Sequence, residues 1–322
     1  MFDAANRERK LRPWLNRLLV RTCWILLLAR SATLHAGPIN VPNGSFELPT
    51  TFFVSTIFDS WQRTPQPGWW NENATGPWTN LFGIFKNPTP GDNDHIDNCD
   101  GNQAAWLFAN PDAGLFQDYE SVDWNDPAPT HAFDARFEPG KAYRLKVGLI
   151  VGTNAGPPML EGVTLTLSLY HLDEASNRIA VATTVVTNTQ SVFTSPNHFL
   201  DYEVNVPTVK PGDPWAEKKI GVMILSTVSK ELAGGYWDVD NVRLSSILSP
   251  TLLSPVYTNH QFQFVVQSEP GLVLEILACT NASIPFANWL SLGTVTNVTG
   301  NIPFIDTSAN FDQRFYQARL LP

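Results

Sequence analysis

Two carboxylates at opposite ends of a roughly 200-residue stretch carry the clearest chemical signal in this 322-residue chain. Glu47 closes the string Asn43-Gly44-Ser45-Phe46-Glu47, and Asp240 sits within Tyr236-Trp237-Asp238-Val239-Asp240-Asn241-Val242-Arg243-Leu244. Calcium takes about six to eight hard oxygens from carboxylates, backbone carbonyls, amide side chains and water. Glu47 and Asp240, with Asn43 beside the first, therefore form a candidate calcium set, provided the first and last strands lie side by side. The bland alternative is that both carboxylates merely hold strand ends. The run Asp92, Asn93, Asp94, Asp97, Asn98, Asp100 and Asn102 is a second oxygen supply, from which Asp100 joins the candidate set. It lacks the EF-hand spacing, and turn-forming Asx chemistry accounts for it equally well.

Aromatic chemistry concentrates between these ends. Trp61, Trp69, Trp70 and Trp78 suit a sugar platform, since an indole face stacks on the apolar face of a pyranose while a neighbour such as Asn71 takes its hydroxyls. The competing reading is core filling and loop anchoring; it is favoured for Trp106, inside Gln103-Ala104-Ala105-Trp106-Leu107-Phe108. His95, Asp97 and Cys99 lack the fourth ligand that a closed zinc site needs. Glu72 and Glu120 are the main glutamates available for a glycosidase pair. No nucleophile elbow, phosphate-cradling loop or His-Glu-x-x-His string occurs.

The elements that must position these groups read as strands. Apolar residues alternate or cluster in short runs bounded by Gly, Pro, Asn and Asp, as in 143–150, 163–170, 179–186, 202–206, 220–225 and a closing strand over 239–244. In 163–170, Val163, Leu165, Leu167 and Leu169 face one way and Thr164, Thr166 and Ser168 the other. Residues 51–137 are loop-rich but too aromatic for disorder, so ordered loops are expected. A linker over 245–250 separates this region from a smaller β module with strands near 262–266, 272–277, 290–295, 302–305 and 315–320.

The first 36 residues read as a secretory signal peptide, with a basic start followed by the apolar run Cys23 to Ala29. That run falls short of the roughly 20 residues a spanning helix needs, and no later stretch reaches it. Losing those residues, which hold seven basic and two acidic side chains, takes the formal charge from −9 to −14. Such a field opposes nucleic acid and anionic lipid and attracts cations. Cys99 and Cys279 then remain, and two buried thiols are expected rather than a bridge. The predicted organisation is a signal peptide over 1–36, an all-β sandwich over 37–247 and a small β domain over 248–322.

Beyond composition, the opening Asn-Gly-Ser-Phe-Glu, Asp100-Gly101-Asn102-Gln103-Ala104-Ala105, Phe116-Gln117-Asp118, Pro139-Gly140-Lys141-Ala142-Tyr143 and the closing Trp-Asp-Val-Asp-Asn-Val-Arg-Leu resemble bacterial extracellular jelly rolls of the galactose-binding-like class. That superfamily includes many carbohydrate-binding modules. The resemblance implies a structural calcium held by Glu47 and Asp240. The same frame underlies the calcium-dependent Stig cyclases, in which an acid in an apolar pocket protonates an indole, a role that Asp238 would mimic here. The tail over 262–320 is similar to a C-terminal β module of secreted Verrucomicrobia-like proteins. The leading expectation is a secreted, calcium-stabilised jelly roll that binds carbohydrate or another extracellular ligand without chemistry of its own. The alternatives are an enzyme on the same frame, either a cyclase or a glycan-acting hydrolase, and a structural envelope or matrix protein.

Overall fold

A computed structural model describes residues 37–72, 76–153, 158–309 and 313–321. The predicted export segment 1–36 lies outside the described residues. In chain order the strands begin with β1 (Gly37–Ile39), β2 (Val54–Ser55), β3 (Gln62–Arg63), β4 (Phe82–Lys86), β5 (Gln103–Phe108), β6 (Gly114–Gln117), β7 (Val122–Asp123) and β8 (Asp126–Pro129). There follow β9 (Lys141–Val151), β10 (Thr164–Leu172), β11 (Arg178–Thr187), β12 (Leu200–Val206), β13 (Gly221–Ser226) and β14 (Tyr236–Leu248). The tail supplies β15 (Thr251–Thr258), β16 (Gln261–Gln267), β17 (Val273–Cys279), β18 (Leu290–Thr296), β19 (Asn301–Asp306) and β20 (Phe315–Leu320).

The all-β expectation holds: two antiparallel sheets face each other as a jelly-roll sandwich. One has seven strands, ordered β12-β9-β14-β5-β4-β2 with β1 on the lower half of β14; the other has five, ordered β11-β10-β13-β6-β3. Leu165, Leu167 and Leu169 of β10 face Leu145, Val147 and Leu149 of β9 across one buried cluster, as the alternation of β10 requires. The two three-stranded sheets β15-β16-β19 and β18-β17-β20 enclose a separate cluster around Phe264, Val266, Leu274, Ile276 and Ala318. Cys99 and Cys279 are both free thiols.

Two sequence readings need correction. The linker expected at 245–250 is mostly strand, because β14 continues to Leu248 by pairing Ser245 to Leu248 with Arg144 to Lys141, and β1 covers its other edge at Ser245 and Ser246. The stretch 51–137 also holds β4, β5 and β6, so central strands of both sheets lie inside what reads as loop. Glycine and alanine obscure them: Gly83 and Ala104 break the apolar alternation, yet each sits beneath a larger neighbour from the next strand or loop.

Part of the outer face of the seven-stranded sheet is itself covered. Ile96, Ala104, Ile150 and Phe199 form a third buried cluster there, bordered by Phe85 and Cys99. Beside it, the Trp106 ring lies flat over Gly83 on the neighbouring strand, where a Cβ would fall 2.0 Å from an indole carbon. Gly83→Ala should therefore force Trp106 aside and lower stability by about 1–3 kcal/mol, the usual overpacking range. Thermal unfolding checks this against Gly37→Ala, whose Cβ meets nothing within 4 Å; equal melting temperatures for the two variants would refute it.

Candidate functional site

Strand β14 places Trp237 and Val239 in the sandwich core, so Tyr236, Asp238 and Asp240 face the other way. Both acids are nevertheless buried, Asp240 completely and Asp238 at 8% exposure. Each does something different with its oxygens.

Asp240 belongs to a clamp. Its Oδ2 accepts the backbone N–H of Asp100 at 2.7 Å, while Oδ1 is buried and has no hydrogen-bond partner among the described residues. Glu47 holds the same turn from the other side, its Oε1 accepting the N–H groups of Asn102 and Gln103, each at 2.7 Å. Gly101, at φ +97°, fits between them only because it lacks a side chain; a Cβ there would lie 2.5 Å from Glu47 Oε1. The side-by-side condition is met, since β1 pairs with β14 and Val242 donates its N–H to the Gly44 carbonyl at 2.9 Å. Burial, opposed by the Asp100 and Asn241 N–H groups, pushes the Asp240 carboxyl up to about 7. Burial first, and then the Asp240 charge, pushes the Cys99 thiol well above its usual value.

The remaining predicted ligands are not free to join. Asn43 spends its side chain as a staple, with Nδ2 donating to the Leu48 and Asp59 carbonyls and Oδ1 accepting from Leu48 N–H. Asp100 contributes its backbone to the clamp, but its side chain is exposed. Asp92 caps Thr89 through two hydrogen bonds, the Asx behaviour weighed above, and Asp94 and Asp97 are exposed. Among the described residues no group of three or more His, Cys, Asp or Glu gathers as for a metal. A calcium here would rest on the spare oxygens of Asp240 and Glu47, completed by carbonyls and water. The orphaned, buried Oδ1 of Asp240 fits that donor set.

Asp238 stands one pleat away. It lies opposite Trp106 on β5 and Ile150 on β9, and its Oδ1 is buried and, among the described residues, without a hydrogen-bond partner. Nothing but apolar burial acts on it, and that burial raises its pKa well above the ordinary carboxylate value. Burial thus favours the neutral form of this acid, which sits in register with Trp106. Aromatic rings border the same face: Trp78 packs on Trp106 at 4.9 Å, and Trp70 meets Phe108, which in turn meets Tyr236.

The tryptophans do not form the expected flat strip. Trp69 and Trp78 are exposed, but Trp70 is half-buried, edge-on to Trp69 at 82°, and donates to the Thr79 carbonyl. Asn71 lies exposed beside them, and Trp61 is buried against Phe46. Trp106 is buried as expected, though on the outer face of the sheet rather than between the sheets. The signal for that face was visible in Trp-Asp-Val-Asp, whose alternation separates apolar from acidic residues; the loops that cover the acids were not.

Residues 37–245 match the model of a family described as HpiC1-like, HpiC1 cyclase. Among solved structures, a cyclase from Fischerella sp. TAU shares 20% identity, with 66% of this chain and 98% of that chain covered and a TM-score of 0.48. A Fischerella sp. TAU cyclase in complex with 4-(1H-indol-3-yl)butan-2-one gives 20% identity, coverage of 67% and 100%, and a TM-score of 0.47. The C-terminal family 22 carbohydrate-binding module of Clostridium thermocellum Xyn10B gives 11%, 64% and 96%, and 0.30. No curated protein matches.

Because Asp240 keeps its proton to about pH 7 when folded but ionises near pH 4 when unfolded, its contribution to stability is complete below about pH 4 and is lost as pH rises to 7. Asp238 acts in the same sense. Urea unfolding in the presence of a chelator should show stability falling by an amount on the order of 4 kcal/mol or more across that window. The slope should be shallower in Asp240→Asn; a flat profile in the parent protein would contradict the assignment.

Proposed function

The chain belongs to the HpiC1-like family, and from that premise we propose that it is an enzyme whose general acid is Asp238. The carrying observation is a buried carboxyl, in register with Trp106, whose Oδ1 has no hydrogen-bond partner among the described residues. A binding module has no use for that group: an unsatisfied buried acid costs stability, and sugar hydroxyls would find no second polar partner beside it. A general acid needs this environment, because burial keeps the proton on the carboxyl at neutral pH until a substrate accepts it.

In this reading, a flat, electron-rich, apolar substrate approaches Asp238 from the side of the exposed Trp78, because Trp106 itself is buried. Asp238 delivers its proton to a ring carbon or an adjoining double bond. The cation that results is stabilised by the indole face. Closure of a carbon–carbon bond onto that cation, followed by return of a proton to the Asp238 carboxylate, gives a redox-neutral isomerisation, in keeping with the cyclase description of the family. Trp70, Phe108 and Tyr236 limit water on one flank and Trp78 on the other.

A calcium ion held by Glu47 and Asp240 would be structural, neutralising two carboxylates that grip the turn at 100–103; it would take no part in the proton transfer. Secretion, expected from residues 1–36, would expose this site to extracellular calcium.

In D2O, the protein should accelerate solvent deuterium uptake into a 3-alkylindole ring, followed by NMR. Asp238→Asn, isosteric and unable to release a proton, should lose about 100-fold or more of that rate while keeping its melting temperature. Exchange at the parental rate in the variant, or none in the parent, overturns the assignment. For the ion, calcium should raise the melting temperature of the parent, and Glu47→Gln should remove that rise while matching the parent in chelator; an equal deficit in both conditions would instead assign Glu47 to the hydrogen-bonded turn alone.

A further inference from the structure

A cleft lies away from Asp238, at the β3 edge of the five-stranded sheet. It encloses about 360 Å³ between β3 and the β7–β8 hairpin, with Phe58 and Trp61 at its base and Arg63, Asp123, Trp124 and Asn125 around it. None of these residues belongs to the Asp238 face or to the Glu47–Asp240 clamp.

Trp124 is the unusual element. Asp123 pairs with Asp126, so Trp124 and Asn125 are the two residues of a tight hairpin turn, a position that ordinarily carries small polar residues. Its ring is 57% exposed. An exposed tryptophan at a turn tip contributes nothing to the core, and loop positions of that kind are where binding groups collect. The hairpin is also pinned, not loose. Trp124 N–H donates to Asp59 Oδ1 at 3.2 Å, Ser60 Oγ to Asp123 Oδ1 at 3.2 Å, and Gln62 Nε2 to the Val122 carbonyl at 2.9 Å. With the hairpin backbone held before a ligand arrives, only the Trp124 side chain has to be ordered on binding.

The polar groups complete a pattern. Arg63 lies over Phe58 at 5.2 Å and Phe82 at 6.0 Å, and among the described residues its guanidinium makes no hydrogen bond or ion pair. Burial pushes its pKa down against the opposing charge of Glu72, as expected for a partly dehydrated cation. Its five donors are thus available, while Asp123 offers acceptor oxygens and Asn125 both kinds. Hydroxyl groups are the ligand chemistry that satisfies donors and acceptors together. A carboxylated ligand would meet Arg63 favourably but Asp123 and Asp59 unfavourably.

We propose that this cleft binds one ring of a neutral glycan, its apolar face stacked on Trp124 and its hydroxyls shared between Arg63, Asp123 and Asn125. The site is independent of the Asp238 chemistry and would bring an extracellular enzyme to a polysaccharide surface.

Calorimetry of the full chain against xylohexaose, cellohexaose, mannohexaose and laminarihexaose, with polygalacturonate as an anionic arm, tests it. At least one neutral hexasaccharide should bind with a Kd below about 1 mM. Trp124→Ala should weaken that binding about tenfold or more without shifting the melting temperature, and Asn125→Ala should weaken it less. Asp238→Asn should bind as the parent does, which separates this site from the proposed active site. Absence of binding to every neutral glycan, parental affinity in Trp124→Ala, loss of binding in Asp238→Asn, or binding of polygalacturonate alone would each overturn the proposal.

Discussion

The thirteen residues of β14 hydrogen-bond to β9 along one edge and to β5 and then β1 along the other, and that double pairing governs what the rest of the molecule can do. A strand held on both edges cannot rotate, so its side chains alternate strictly between the two faces of the sheet. Trp237 and Val239 must enter the sandwich, and Asp238 and Asp240 must leave it. The pairing then slips between Asp240 and Arg243, where Asn241 takes a left-handed φ of 57° and its amide reaches the Asn98 carbonyl at 3.1 Å. That irregularity ends the acidic pair and fastens the closing strand to the loop that covers it.

Burial raises the pKa of both acids, one pleat apart, but the partners around them differ. Asp240 is met by backbone N–H groups and shares a turn with Glu47, an arrangement that favours an anion or a metal ligand. Asp238 is met by Trp106 and Ile150, which favour the neutral acid. The same sheet therefore supports a structural role and a chemical one without any conflict of geometry, because the side chains are rooted on a single rigid strand. Gly83 and Gly101 are the small residues that make room: one admits the Trp106 ring beside Asp238, the other lets Glu47 close on the clamp.

The tail is organised differently. Its buried polar centre is Asp306, which takes Arg314 and the Tyr316 hydroxyl at 2.8 and 2.9 Å and joins β19 to β20. Desolvation raises the Asp306 pKa, yet the combined hydrogen bonds and the Arg314 charge hold it below the ordinary value. Every polar partner that Asp238 lacks is present around Asp306, and the contrast marks one as a scaffold group and the other as a group kept in reserve.

Local pattern was enough to read the all-β class, the strands β9 to β13 and the tail strands β16 to β20, because period-two alternation of Val, Leu, Ile and Thr is written into consecutive residues; β15, at Thr251–Thr258, was not among them. It was also enough to pair Glu47 with Asp240, since the two motifs open and close one region. It was not enough for β4 and β5, where Gly83, Ala104 and Ala105 are too small to show a hydrophobic face until Trp106 and the covering loops are placed. Different roles for Asp238 and Asp240 came from the bracketing motifs and the family resemblance; alternation alone treats these identical residues, two positions apart, alike. Alternation put both on one face, and by the ordinary rule that face should have been wet. Burial of that face by Ile96, Phe199, Trp78 and Trp106 depends on residues as many as 160 positions distant. Composition and spacing could thus determine which side chains share a surface; only the folded chain could decide which of them lose contact with water, and it is desolvation that turns a carboxylate into an acid.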